Sequence, residues 1–116
     1  MRKYILEATN SKAIVVYKDK DGYGVRPHEY DWREGDRIMS KDGKTMQKIL
    51  KVVPNCKESI NYLKRVFTTV KIYDCKDHKG FIREGGNLIE VTVVLNDGET
   101  IDDYVNKCIK HMVSYN

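Results

Sequence analysis

The chain has 116 residues, of which 33% are charged and 41% apolar, and its formal net charge at pH 7 is +4. This length favours one domain and excludes a TIM barrel or a two-half dinucleotide-binding fold. The longest apolar run, at positions 13–17, is far shorter than the ~20 residues of a membrane-spanning helix. The early acid Glu7 argues against a signal peptide, so we expect a cytoplasmic protein with reduced cysteines.

The first half of the chain predicts short antiparallel strands. Alternating or β-branched stretches place strands at 2–9, 12–18, 23–26, 37–41 and 45–53. Turn sequences rich in Asp and Gly separate them at 19–22 and 41–44, and Pro27 and Pro54 mark boundaries. Hairpins at this density predict a small, strongly bent sheet or barrel.

The second half predicts helices around a hairpin. Asn55 is expected to cap a short central helix, with Glu58 in the capping-box position, and strand propensity resumes at 68–73. A short strand at 81–83, a turn at 84–87 and a strong strand at 88–95 follow. Thr100 and Asp103 then begin an amphipathic C-terminal helix. The predicted fold is α+β in one domain, with a β-rich part at 1–53 and an extension at 54–116.

Part of this pattern resembles small uncharacterised phage and prophage proteins. The resemblance covers residues 15–71, where an aromatic strand leads to a Tyr-x-Asp turn, Gly-Asp, a β-branched strand and a Gly hairpin. The matching residues are Tyr17, Tyr30, Asp31, Gly35, Asp36, Ile38, Gly43, Val52 and Val53. The resemblance implies an SH3-like barrel and a phage protein, and it brings no catalytic residue with it.

Two groups of residues are candidates for binding an anion or a nucleotide. Residues 17–51 interleave aromatic and basic side chains, which suit bases and phosphates respectively. If the loop after Pro27 folds back, one cleft would be lined by Arg26, His28, Trp32, Arg33 and Arg37. The alternative is that Trp32 plugs the end of the barrel and the cations are solvated. Phe81 and Arg83, beside a Gly-Gly turn, either close over a small ligand or belong to an ordinary hairpin.

Two Cys-x-x-His pairs, Cys75/His78 and Cys108/His111, are weak candidates for zinc ligands. The alternative interpretation makes Cys108 an apolar residue of the C-terminal helix and His111 a partner of its dipole. We expect no metal and no cofactor.

Known catalytic motifs for nucleophilic, metalloprotease and phosphate-loop chemistry do not occur in the sequence, so we expect a non-enzymatic protein. The first hypothesis is an anti-defence protein that sequesters a cyclic nucleotide-like signal in the host cytoplasm. The alternative is a nucleic-acid or nucleoprotein binder, such as an inhibitor of a CRISPR-type nuclease, because all of the basic surplus lies in residues 1–58. A zinc-stabilised adaptor is the second alternative. Apolar residues around much of the C-terminal helix predict a homodimer through that helix.

Overall fold

Four strands in the first half of the chain form one antiparallel sheet in a computed structural model that describes residues 11–115. The strand predicted at 2–9 lies outside the described residues. The sheet has the order β2-β1-β4-β3. Its strands are β1 (Ala13–Asp19), β2 (Gly22–Pro27), β3 (Arg37–Met39) and β4 (Met46–Pro54).

The sheet is bent but open. β2 and β3 form its two edges, and within residues 11–115 they do not pair with each other. The register between β1 and β4 shifts between Val16, which pairs with Lys51, and Tyr17, which pairs with Ile49. Leu50 is the extra residue, and a bulge of this kind bends a strand. The α+β class with antiparallel strands is therefore confirmed, whereas the SH3-like barrel is not.

The central helix, α1 (Lys57–Tyr73), is longer than the sequence predicts. The stretch at 68–73 continues the helix because Val66 and Val70 extend the buried stripe of Leu63, and burial outweighs strand propensity. The predicted Asn55 cap is wrong: Cys56 occupies the N-cap position without a side-chain cap. Asn55 instead donates its Nδ2–H to the Ser11 carbonyl at 2.7 Å.

A separate two-stranded sheet follows, formed by β5 (Lys79–Glu84) and β6 (Asn87–Thr92). The hairpin lies where the sequence predicts it, but β6 ends at Thr92 because its partner β5 begins at Lys79. The hairpin packs on α1, where Gly80 lies against Ile72.

The C-terminal helix, α2 (Ile101–Lys110), begins as predicted. The Asp103 N–H donates to Thr100 Oγ1 at 3.1 Å, and the Thr100 N–H donates to Asp103 Oδ2 at 3.0 Å, which completes the capping box. Ile109, predicted at the border of the apolar stripe, is fully buried.

Apolar side chains form one cluster on each face of the four-stranded sheet. Both helices cover the first face, which we call the helix face, and Leu63, Phe67 and Val105 lie in that cluster. The opposite face, the loop face, carries Ala13, Val15, Ile38, Ile49 and Val52, with Tyr17 and Trp32 packed against them. In residues 11–115, neither helix is long and apolar enough to cross a membrane.

Candidate functional site

The bend of the sheet brings its two edges close enough for one side chain to reach across. Three inter-strand spacings would separate the edges of a flat four-stranded sheet by about 14 Å. Arg26, on edge strand β2, nevertheless donates through Nη1 to the Met39 carbonyl of β3 at 3.0 Å and to Gln47 Oε1 of β4 at 2.9 Å. The loop face is therefore concave, and Arg26 spans it.

The loop that follows β2 folds back onto this face. Trp32 is half-buried against the loop-face cluster, and its ring centre lies 4.8 Å from the Arg26 guanidinium carbon. His28 Nε2 lies 2.8 Å from the Trp32 carbonyl oxygen. The exposed Tyr30 places its ring 5.8 Å from Trp32. The structure thus brings Arg26, His28 and Trp32 together, and Trp32 both packs against the core and supports Arg26.

The charge of Arg26 has no counter-ion among residues 11–115. Arg26 forms no ion pair with any described carboxylate. Its Nε–H is buried and has no hydrogen-bond partner in that part of the chain. Buried polar groups in native structures nearly always have partners, so the surroundings of Arg26 are incomplete.

A cavity of about 320 Å³ opens beside Arg26, between β2 and the β3–β4 hairpin. We call it the Arg26 cleft. Its lining comprises Tyr17, Asp19, Asp21, Tyr23, Gly24, Val25, Arg26, Ser40, Lys41, Asp42, Thr45 and Gln47. Glycine at position 24 shapes one wall, since a Cβ there would lie 2.4 Å from Tyr17 Oη. Tyr17 can therefore lay its ring directly on β2.

The charged residues of the cleft are unevenly distributed: three carboxylates and Lys41 lie at the turn end, and Arg26 lies at the other end. Asp19, Asp21 and Asp42 lie in or beside the two hairpin turns, whereas Arg26 is four residues along β2 from Gly22, about 13 Å away in an extended strand. Ser40 Oγ donates to Asp42 Oδ1 at 2.5 Å, and the Lys44 N–H donates to it at 3.0 Å. These hydrogen bonds, that of Ser40 first, lower the pKa of the Asp42 carboxyl below its usual value. The turn therefore favours the anionic form of Asp42 at this end of the cleft.

The other two basic candidates of the first group lie elsewhere. Arg33 is exposed in the loop, where its backbone N–H donates to Asp36 Oδ2 at 2.8 Å. Arg37 pairs with Lys48 in register, whereas its neighbour Ile38 pairs with Gln47 on the loop face. Because side chains alternate along a strand, Arg37 points to the helix face and not into the cleft.

Phe81 and Arg83 line a different cavity, of about 850 Å³, between the β5–β6 hairpin and α1. Lys64 and Lys71 of α1 also line this groove. It shares no lining residue with the Arg26 cleft. Of the predicted ligand-binding residues, only Arg26 lines the cleft, and Phe81 and Arg83 line this groove. The others, which are His28, Trp32, Arg33 and Arg37, line neither of these two cavities.

The two Cys-x-x-His pairs do not assemble into a metal centre within residues 11–115, which contain no group of three or more His, Cys, Asp or Glu side chains suited to a metal ion. The ring of His78 stacks on Tyr73, with centroids 4.6 Å apart. Cys108 lies among the partly buried residues of the helix-face core, as its apolar interpretation predicts.

Sequence reasoning missed Gln47, whose amide oxygen holds Arg26. A signal was present, because Gln47 alternates in phase with buried Ile49 along β4. A polar residue at a buried position of a strand usually has a specific hydrogen-bond partner. The sequence identifies the carboxylates of the hairpin turns only as turn residues, because nothing local shows that two distant turns face one cleft.

Comparison of the chain with protein-family models, with curated proteins and with solved structures finds no match.

Proposed function

We propose that the protein is a non-enzymatic binding protein whose Arg26 cleft holds a small, anionic, nucleotide-like ligand. The observation that carries this proposal is the half-buried guanidinium of Arg26, which has no carboxylate partner within residues 11–115. An anionic group of a ligand would supply the missing counter-ion.

The uneven distribution of charge in the cleft favours a nucleotide over a simple anion. A phosphate suits Arg26, and the planes of its guanidinium and of the Tyr17 ring suit a base. Asp19 and Asp42 at the turn end can accept hydrogen bonds from ribose hydroxyl or base amino groups. A volume of about 320 Å³ is at the small end of ligand sites, so a mononucleotide fits the cleft better than a larger ligand.

The composition of the cleft favours binding over turnover. None of the described residues that line it is a His or a Cys, the usual general base and thiol nucleophile at neutral pH. Together with the phage resemblance of residues 15–71, this supports an anti-defence role: sequestering a cyclic nucleotide-like signal in the cytoplasm of the host. The phage origin and this role are part of the proposal.

Isothermal titration calorimetry of the full chain against mononucleotides, cyclic mononucleotides and cyclic dinucleotides tests the proposal, with inorganic phosphate and ribose as partial ligands. Arg26→Gln is expected to weaken binding at least about tenfold, since a charge-assisted hydrogen bond contributes roughly 1.5–3 kcal/mol. Arg83→Gln is the matched control, because it makes the same change in the other groove. Gln47→Ala, which removes the amide oxygen that holds Arg26, serves as a second variant should Arg26→Gln melt early, and it should also weaken binding.

Loss of binding in Arg83→Gln alone would show that the ligand binds in the groove between α1 and the hairpin, and it would overturn the assignment to the Arg26 cleft. The absence of heat with every nucleotide would reject the proposal.

A second candidate function, nucleic-acid binding, is favoured by a row of cations on the helix face. Lys18 pairs with Lys48 in register, and Lys48 pairs with Arg37, so three basic residues lie side by side across β1, β4 and β3. Lys18 forms an ion pair with Asp102 at 3.0 Å, but Lys48 and Arg37 form none within residues 11–115. Like charges directly opposite each other destabilise a sheet, so the row is costly unless a polyanion covers it.

A further inference from the structure

The β5–β6 hairpin has one face that is covered and one that is open. Its register places Gly80 and Ile82 on the inner face, and Gly80 lies against Ile72 of α1. The outer face carries Phe81 opposite Glu90 and Arg83 opposite Leu88. Phe81 and Leu88 are 63% and 62% exposed, although they are large apolar residues.

This outer face is unusual for a hairpin that stands apart from the main sheet. Two-stranded hairpins are marginal in water and depend on packing of an apolar face. Within residues 11–115 the inner face packs on α1, with an ion pair of 3.0 Å between Arg65 and Glu84 at its edge. Phe81 and Arg83 on the outer face approach α1 only across the open groove that they line. Phe81 and Leu88 lie diagonally across neighbouring strands, so together they form one apolar patch.

The apolar patch is flanked by Arg83 and Glu90, and Lys79 lies on the same face farther from the turn. Arg83 Nη1 donates to the Gly86 carbonyl at 3.3 Å, and Glu90 forms no ion pair within residues 11–115. A twofold axis along the line from Phe81 to Leu88 brings each Arg83 against the Glu90 of the other copy, because these two residues lie on the other diagonal of the face. Twofold interfaces require this self-complementarity.

We propose that the outer face of the β5–β6 hairpin binds the same face of a second copy of this chain, with Phe81 and Leu88 buried at the centre and Arg83 paired with Glu90 across the axis. This relocates the dimer that the sequence predicts through α2. The apolar residues of α2 contact the chain's own core, where Ile101, Val105 and Ile109 are buried.

The interface is expected to be weak. A stable complex buries about 800 Å² per partner over 20–30 residues, and the outer face offers only the side chains of two short strands. Lys79 and Thr92 lie on the same face at the end away from the turn, outside this contact. The dimer should therefore dissociate on dilution, and its contacts are few enough to be tested one by one.

Sedimentation velocity of the full chain over a dilution series tests the proposal. The unmodified protein should show a concentration-dependent dimer, and Phe81→Ser with Leu88→Ser should be monomeric throughout the series. Arg83→Glu and Glu90→Arg should each weaken dimerisation more than about tenfold, because each places like charges together across the axis. The double variant Arg83→Glu/Glu90→Arg should recover the dimer.

Val113→Ser is the matched control, since Val113 is 75% exposed beyond α2 and its loss should leave dimerisation unchanged. Circular dichroism of every variant verifies that the fold persists. The proposal is overturned if the unmodified protein is a monomer at all concentrations. It is also overturned if the hairpin variants dimerise as the unmodified protein does, or if Arg83→Glu/Glu90→Arg does not recover the dimer.

Discussion

Arg26 is held by more contacts than a residue on an edge strand requires. Its guanidinium rests 4.8 Å from the Trp32 ring centre and donates to one backbone and one side-chain oxygen. A long side chain that is already fixed loses little conformational entropy when a ligand arrives. Trp32 and His28 therefore contribute to the candidate site by orienting Arg26, and neither lines the cleft itself.

Ser40 controls the charge at the other end of the same cleft. Ser40→Ala removes the hydrogen bond that contributes most to the lowered pKa of Asp42. We expect this pKa to rise toward the ordinary value of about 3.9, as measured by carboxyl-carbon NMR over an acid titration. Ser114→Ala, in the C-terminal segment, is the control and should leave the Asp42 titration unchanged.

The same variant, Ser40→Ala, should also change how folding stability depends on pH in acid. A carboxyl whose pKa is lower in the folded state stabilises the fold above its unfolded pKa, and this stabilisation is lost as the pH falls through the folded pKa. In Ser40→Ala the Asp42 contribution shrinks, so the stability of the variant should fall less on acidification below about pH 4. An Asp42 titration identical to that of the unmodified protein would contradict this account of the turn.

The helices illustrate which elements the sequence can predict. Thr100 and Asp103 satisfy each other's backbone within four residues, so the start of α2 follows from local chemistry alone. Asn55 has the right residue type for a cap, but a distant group, the Ser11 carbonyl, takes its amide. Thr69 fits inside α1 because its hydroxyl donates to the Arg65 carbonyl at 2.9 Å. A contact distant in sequence therefore decides the role of Asn55, whereas the contact that accommodates Thr69 lies within one helical turn.

The residues of the candidate site also differ in whether local sequence is enough to predict their position. Arg26, His28 and Trp32 lie within seven positions of each other, so a loop that folds back was enough to predict their meeting. Arg37 was misplaced because the phase of a three-residue strand is fixed only by its pairing with β4. Gln47 and Asp42 enter the cleft through the bend of the sheet, which no local pattern encodes.

The hairpin is docked on α1 through a contact that only glycine permits. A Cβ at Gly80 would lie 2.6 Å from Ile72 Cγ1, and Ile72 is buried. Gly80→Ala should therefore displace the hairpin and cost about 1–3 kcal/mol, the usual cost of overpacking. Urea unfolding measures this cost, and hydrogen exchange should show faster exchange in β5.

Ile72→Ala tests the cause of that effect. If the clash is with Ile72, Gly80→Ala should cost less in the Ile72→Ala background than in the unmodified protein, so the two changes will not add. Equal costs in both backgrounds would show that the close approach to Ile72 does not govern hairpin docking.

At the scale of the molecule, the basic residues are unevenly distributed between the two faces of the four-stranded sheet. The Arg26 cleft holds two cations and three carboxylates, so a polyanion would be repelled from its turn end. The row of Lys18, Lys48 and Arg37 lies on the helix face of the same sheet. A small ligand and a nucleic acid would therefore occupy different faces, and changes on one face can be tested without disturbing the other.

Lys48→Glu separates the two candidate functions, because it affects stability and polyanion binding in opposite directions. Glutamate there would face Lys18 and Arg37, so we expect the free energy of unfolding to rise by a few tenths to about 1 kcal/mol. If the row binds nucleic acid, affinity for a single-stranded oligothymidine should fall and its salt dependence should flatten. Urea unfolding and fluorescence anisotropy measure the two effects. Lys64→Glu is the control, because it makes the same charge change at an exposed position of α1. An equal loss of oligonucleotide binding in both variants would reflect net charge alone and would exclude the row of Lys18, Lys48 and Arg37 as a nucleic-acid site.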